Sequence, residues 1–179
     1  DGKRLETPNA SAGMGYVKAT MTGANLNTFT VDKTAPGTSW GSVYAQFTQR
    51  TTDIADASMG LSIKRELLYD GELKVGSKVK VRITITADRD YDFVQVVDKR
   101  AACMEPVNQL TGYRGGFYCS PRDNATYYYA DMMPKGTHVV ESTFYIDRPG
   151  TFTTGTCTVQ CAYSPAYMAR TKALTITIK

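Results

Sequence analysis

Lys78-Val-Lys-Val-Arg-Ile-Thr-Ile-Thr86 alternates polar and apolar residues without a break. Val79, Val81, Ile83 and Ile85 fall on one side of an extended chain, and Lys78, Lys80, Arg82 and Thr84 on the other. That is the pattern of a strand with one dry and one wet face. Upstream, Met59, Leu61, Ile63, Leu67 and Tyr69 share one phase. Arg65 lies on that inward phase, a placement that suits a bulge or a position near a sheet edge. Downstream, Phe93 to Val97 reads as another strand, and Val139, Val140, Phe144 and Ile146 mark a long one stopped by Pro149-Gly150. Thr151 to Ala162 is rich in Thr, and Leu174, Ile176 and Ile178 end the chain in strict alternation.

The punctuation fits strands. Asp88-Arg-Asp-Tyr91 joins two of them in hairpin fashion, and Pro134-Lys-Gly136 and Arg148-Pro-Gly150 carry turn residues. Helical periodicity is thin. Strands at this spacing without helices between them predict an all-β fold, an antiparallel β-sandwich. Residues 106–125 form a long connection containing Gly112, Gly115 and Gly116. A loop of that length is usually functional or pinned. Its residues Tyr113, Phe117 and Tyr118 make it the candidate interaction loop, because Tyr is favoured at interfaces; ordinary strand aromatics are the competing reading.

The first 50 residues differ. Strand candidates there are Tyr16–Met21, Thr28–Val31 and Trp40–Phe47, followed by the linker-like Thr51–Ala57. Three strands in about 50 residues make a poor independent core. The expected division is therefore 1–55, an N-terminal β segment, and 56–179, a C-terminal sandwich. The first part either belongs to a domain whose other strands lie elsewhere or packs on the sandwich. The chain opens on Asp1 with no visible signal peptide, as a processed protein or a fragment would.

Of the 179 residues, 42% are hydrophobic and 21% charged, the mixture of an ordinary globular chain. The net charge of +4 is scattered, with only pairs such as Lys64-Arg65 and Lys99-Arg100, so the clustered footprint of a nucleic-acid binder is missing. No apolar run of about 18 residues exists to span a membrane, and no membrane contact is expected of this segment.

Four cysteines, Cys103, Cys119, Cys157 and Cys161, point to disulfides and an oxidising compartment. Buried free thiols are the alternative, and no zinc-type spacing forms with the one histidine, His138. Cys157 and Cys161 would lie about 13 Å apart on one strand, beyond disulfide reach. A nested pairing, Cys103 with Cys161 and Cys119 with Cys157, suits antiparallel segments and is the expected one. Cys103-Met-Glu-Pro106 superficially evokes a thioester site. However, position 106 is proline and Gln109 is six residues from the thiol, so the ring cannot close as a thioester requires. No nucleophile–base pair, paired carboxylates or cofactor motif is visible, and a non-enzyme is expected, with no cofactor and no metal.

Several motifs together resemble the bacterial alpha-2-macroglobulin-like family, in particular its last domain, the counterpart of the receptor-binding domain of animal macroglobulins. They are Asp92-Phe-Val-Gln-Val-Val-Asp98 followed by Arg100-Ala-Ala-Cys-Met-Glu-Pro106, then Arg122-Asp123 with Tyr127-Tyr-Tyr129. Pro134-Lys-Gly136, Arg148-Pro-Gly-Thr-Phe152 and Cys161-Ala-Tyr-Ser-Pro165 continue the series. Ser39 to Phe47 looks like the closing strand of the domain flanking the helical thioester-type domain. The Arg-Ala-Ala-Cys version resembles forms from the Bacteroides group. The resemblance implies a macroglobulin-like sandwich of Ig-like architecture in the periplasm, cell envelope or extracellular space. Its implied partners are upstream domains of the same polypeptide and, through the full-length protein, host or competitor proteases that become trapped. A surface adhesion module binding protein or glycan is the other reading of the same sandwich.

Overall fold

The computed structural model describes residues 16–20, 30–34 and 36–179. The chain divides into two units, 1–45 and 46–179. The described residues of the first unit are exposed and carry no strand. Residues 40–47, expected to be a strand, are irregular, and Trp40 is 90% exposed. The other two expected strands are likewise absent from described residues 16–20 and 30–31; Met21, Thr28 and Phe29 lie outside the described residues. An extended segment becomes a strand only when another backbone satisfies its N–H and C=O groups. Among the described residues, none of these segments has such a partner.

The second unit holds thirteen strands. They are β1 (Ala57–Met59), β2 (Leu61–Leu68), β3 (Lys78–Ala87), β4 (Tyr91–Lys99), β5 (Met104–Pro106), β6 (Gly112–Arg114) and β7 (Phe117–Pro121). Then come β8 (Ala125–Met133), β9 (Gly136–Ile146), β10 (Gly150–Thr153), β11 (Cys157–Cys161), β12 (Met168–Thr171) and β13 (Thr175–Ile178). Eleven of them hydrogen-bond in the order β5-β9-β3-β2-β1-β12-β11-β4-β8-β7-β6, while β10 pairs with β13 apart from the rest. The ribbon doubles over at the β1–β2 corner. The result is an antiparallel sandwich with β5-β9-β3-β2 in one layer and β12-β11-β4-β8-β7-β6 in the other.

The alternation in 78–86 does what its pattern dictates. Val79, Val81, Ile83 and Ile85 are buried in the core with Val94 and Val96 of β4, Phe144 and Ile146 of β9, and Val159 of β11. Three local readings change. Tyr69, expected on the inward phase of Leu61, lies past the end of β2 and is exposed. Met59 does not continue the inward phase of Leu61: Gly60 at φ +72° turns the chain between them, so Met59 points outward while Leu61 is buried. Asp88–Asp90 is not a hairpin, because β3 pairs with β2 and β9 whereas β4 pairs with β8 and β11. The turn carries the chain from one layer to the other. Turn residues fix a reversal of direction, but which edge a strand then joins depends on the dry face it must cover. Asp88 accepts from the Tyr91 hydroxyl at 2.6 Å, and Asp90 from the Lys135 N–H at 2.7 Å, which ties two of these crossings together.

The 106–125 connection is not one irregular loop. It contains the small hairpin β6–β7, and β7 extends the sheet beyond β8.

Gly60 has the strictest backbone demand. A Cβ there would collide with the Tyr91 hydroxyl and lie 2.8 Å from Tyr167 Cδ1, at a φ that L-residues rarely adopt. Gly60→Ala is expected to lower stability by roughly 1–3 kcal/mol, measured as a reduced urea midpoint at unchanged slope.

Candidate functional site

Arg65 is the polar centre of the domain. β2 is regular through this position, pairing Arg65 with Ile83, so there is no bulge. Beyond Leu61 the other side of β2 pairs with no strand among the described residues, so the position lies at an edge of the ladder, as expected. It points into the sandwich and is buried. Its Nη1 donates to Asp98 Oδ1 at 3.0 Å and to the Lys99 carbonyl at 3.1 Å. Its Nη2 donates to Thr154 Oγ1 and the Gly155 carbonyl, both at 2.7 Å, and to the Lys172 carbonyl at 3.2 Å. Asp98 comes from β4 in the opposite layer and is equally buried. Burial pushes its carboxyl above the usual range, and the Arg65 charge opposes that rise. One guanidinium thus joins both layers and the connections before β11 and β13. The planar fork of Arg suits this many acceptors; the point charge of Lys does not. Only the inward phase of Arg65 was visible in the sequence. Its partners lie 33 to 107 residues away.

All four cysteines are free and buried. The expected nested pairing is not formed, and the strand register shows why. Cys157 lies opposite Asp98 and Cys161 opposite Val94 on β4. Cys103 follows the Lys99 end of that strand and caps the end of β9, its carbonyl accepting from the Asp147 N–H at 3.0 Å. Cys103 and Cys161 therefore sit toward opposite ends of β4. Cys119 on β7 is separated from Cys157 on β11 by the intervening strands β8 and β4, a spacing of about 14 Å. Burial raises the thiols of Cys103 and Cys119 above the usual range and that of Cys157 well above it, the last aided by the neighbouring Asp98 charge. Such thiols are protonated and poor nucleophiles. His138 offers Cys103 no base. It accompanies the start of β9 and hydrogen-bonds the Pro134 carbonyl at 2.7 Å, eight residues from the end that Cys103 caps, roughly 27 Å of extended chain. Among the described residues no group of His, Cys, Asp or Glu could hold a metal ion.

The expected interaction loop divides. Tyr113 is 76% and Tyr118 38% exposed, and their rings meet edge-to-face at 5.3 Å. Phe117 is 2% exposed and packs edge-on against His138, so it anchors the hairpin and presents nothing to a partner. Its burial follows from β7 alternation, which places Phe117 and Cys119 inward and Tyr118 outward.

The profile described as the Bacterial Alpha-2-macroglobulin MG10 domain matches residues 46–166. The chain belongs to that family. Solved structures similar to it include a Salmonella alpha-2-macroglobulin mutant, at 22% identity and a TM-score of 0.63, covering 71% of this chain and 10% of that one. Native Escherichia coli alpha-2-macroglobulin from domain MG7 to the C-terminus matches at 18% identity and a TM-score of 0.63, over 72% of this chain and 25% of that one. The Escherichia coli protein activated by porcine elastase gives 20% identity and a TM-score of 0.63, over 70% and 14%. These likenesses establish the macroglobulin sandwich fold. The chain spans about a tenth of the length of the first of these relatives. No curated protein sequence matches it.

Two measurements test this site. Arg65→Met or Asp98→Leu alone is expected to cost about 3–5 kcal/mol, because each leaves a buried charge uncompensated. The double variant should cost clearly less than the sum of the two, read by urea denaturation of all three. Thiol titration with Ellman's reagent should find the native protein nearly unreactive and four thiols after denaturation; two or none would establish disulfides.

Proposed function

We propose that this macroglobulin domain is the C-terminal, non-catalytic module of a bacterial alpha-2-macroglobulin-like protein that traps proteases. In that scheme cleavage of a bait region elsewhere in the polypeptide rearranges its domains, and this module moves as a rigid body. The observation that carries the reading is the family match over residues 46–166. The buried lock of Arg65 and the protonated thiols support it: this interior is built to hold two layers together, not to perform chemistry. We place the module boundary at residues 55/56, ten residues inside the second unit, where the sandwich strands begin. The carbonyl of Ala55 accepts from Arg170 Nε at 3.0 Å, and the Asp56 carboxylate accepts from the Lys172 N–H at 2.6 Å. The chain is thereby fastened as it comes into β1. A periplasmic or cell-envelope location in a Bacteroides-type bacterium fits the trapping role, and exposed Tyr113 and Tyr118 are the contact residues of the β6–β7 hairpin.

The test is to incubate the full-length protein with an elastase-type protease. A trapped protease keeps its activity on small peptide substrates and loses it on large protein substrates, while the inhibitor changes its native-gel mobility. Undiminished digestion of large substrates with no mobility change would refute the proposal.

A further inference from the structure

The two outer faces of the sandwich are chemically unlike. On the layer β5-β9-β3-β2 the outward face carries paired charges, beside exposed Val139 and Tyr145: Glu141 meets Arg82 at 2.7 Å and Lys80 at 3.3 Å, and Lys64 meets Glu66 at 2.7 Å. That is how a strand face stays in water. The other layer is different. Its register aligns one outward residue from each strand into a single row. Tyr113 lies opposite Tyr118, Tyr118 opposite Tyr129, and Tyr129 opposite Gln95. Gln95 is in turn opposite Gln160, and Gln160 opposite Met168. None of these residues carries a charge at neutral pH. Tyr127, the next outward residue on β8, lies nearly parallel to Tyr129 at 9° and 6.4 Å. Charges return at the margins, at Asp131 and Arg170, two positions further along β8 and β12.

We propose that this tyrosine–glutamine–methionine face is a docking surface, covered in the intact polypeptide by another domain of the same chain. The inference rests on the macroglobulin reading above. Three observations favour that occupant. The composition, with Tyr and Met enriched, charge depleted at the centre and charge at the rim, is that of a protein–protein contact. Next, the row ends on Met59 of β1, which lies opposite Met168 and is exposed. The polypeptide comes into the domain at that same strand, held by Arg170 and Lys172, so a domain linked upstream is tethered at the margin of this face. Finally, the match covers only a tenth of the Salmonella relative, and a comparable length of polypeptide around this domain would supply the partner.

Hydroxyl-radical footprinting of the full-length protein and of this 179-residue chain tests the proposal. Labelling of Tyr113, Tyr118 and Tyr129 should fall severalfold in the full-length protein. Tyr145, half-exposed on the opposite outer face, should label equally in both and serves as the internal reference. The double variant Tyr118→Lys, Tyr129→Lys should leave the melting of the short chain nearly unchanged and loosen the full-length protein, seen as faster limited proteolysis. Equal labelling of the tyrosine row in both proteins would overturn the inference. So would protection already present in a self-associated short chain, or protection seen only on adding a neutral oligosaccharide; these would make the occupant a second copy or a glycan. The readout needs no protease. A full-length protein that shows the footprint but traps nothing refutes only the trapping function, and one that traps but shows no footprint refutes only this surface.

Discussion

The placement of one sandwich layer on the other depends on the Arg65 guanidinium. Apolar burial drives the layers together but is non-directional, and many relative shifts would bury Ile83 against Val96 about equally well. A buried cation removes that freedom. Only where Asp98, the Thr154 hydroxyl and the carbonyls of Lys99, Gly155 and Lys172 converge is the charge matched. Elsewhere the desolvation of guanidinium and carboxylate would go unanswered. The pair therefore acts less as a source of net stability than as a penalty on every other arrangement. Its network also reaches the incoming chain: Lys172 gives its carbonyl to Arg65 and its N–H to Asp56.

Around that centre the inner face is ordinary packing. Cys119, Tyr128, Val96 and Val159 form one inward row across β7, β8, β4 and β11, and the Cys119 thiol serves there as a small apolar group. Tyr128 is the exception to a wholly apolar row. Its hydroxyl crosses to Ser142 on the other layer at 2.7 Å, a second polar tie between the layers. Cys161 directs its thiol to the Asp92 carbonyl at 3.1 Å, which satisfies it locally.

The interior holds protonated thiols and a matched ion pair. The turns that cross between layers are tied to each other through Asp90 and Lys135, and the segment that leads in is pinned at two points. What distinguishes the surface is its asymmetry, one face carrying paired charges, the other crossed by an uncharged row rich in tyrosine. That division is produced by strand register alone, since the residues of the uncharged row lie from position 59 to 168 in the sequence.

Strand periodicity was legible because each strand's alternation is a local property of consecutive residues. The strands around Val79–Ile85, Val94–Val96 and Ile176–Ile178 could be assigned without knowing their neighbours, and the motifs from Asp92 to Pro165 carried the family. By itself the sequence determined the all-β class, the dry face of each strand and the kinship with macroglobulins. Everything requiring knowledge of which strand lies beside which was decided by tertiary structure. It made the Asp88 turn a crossing between layers, left residues 40–47 without a strand partner among the described residues and separated the cysteines expected to pair. It also converted Arg65 from an odd charge on an inward phase into the centre of the fold. The physical reason is common to all of these. Hydrogen-bond ladders, disulfides and buried ion pairs are contacts between residues tens of positions apart, and nothing in the local alternation of a strand records its neighbour.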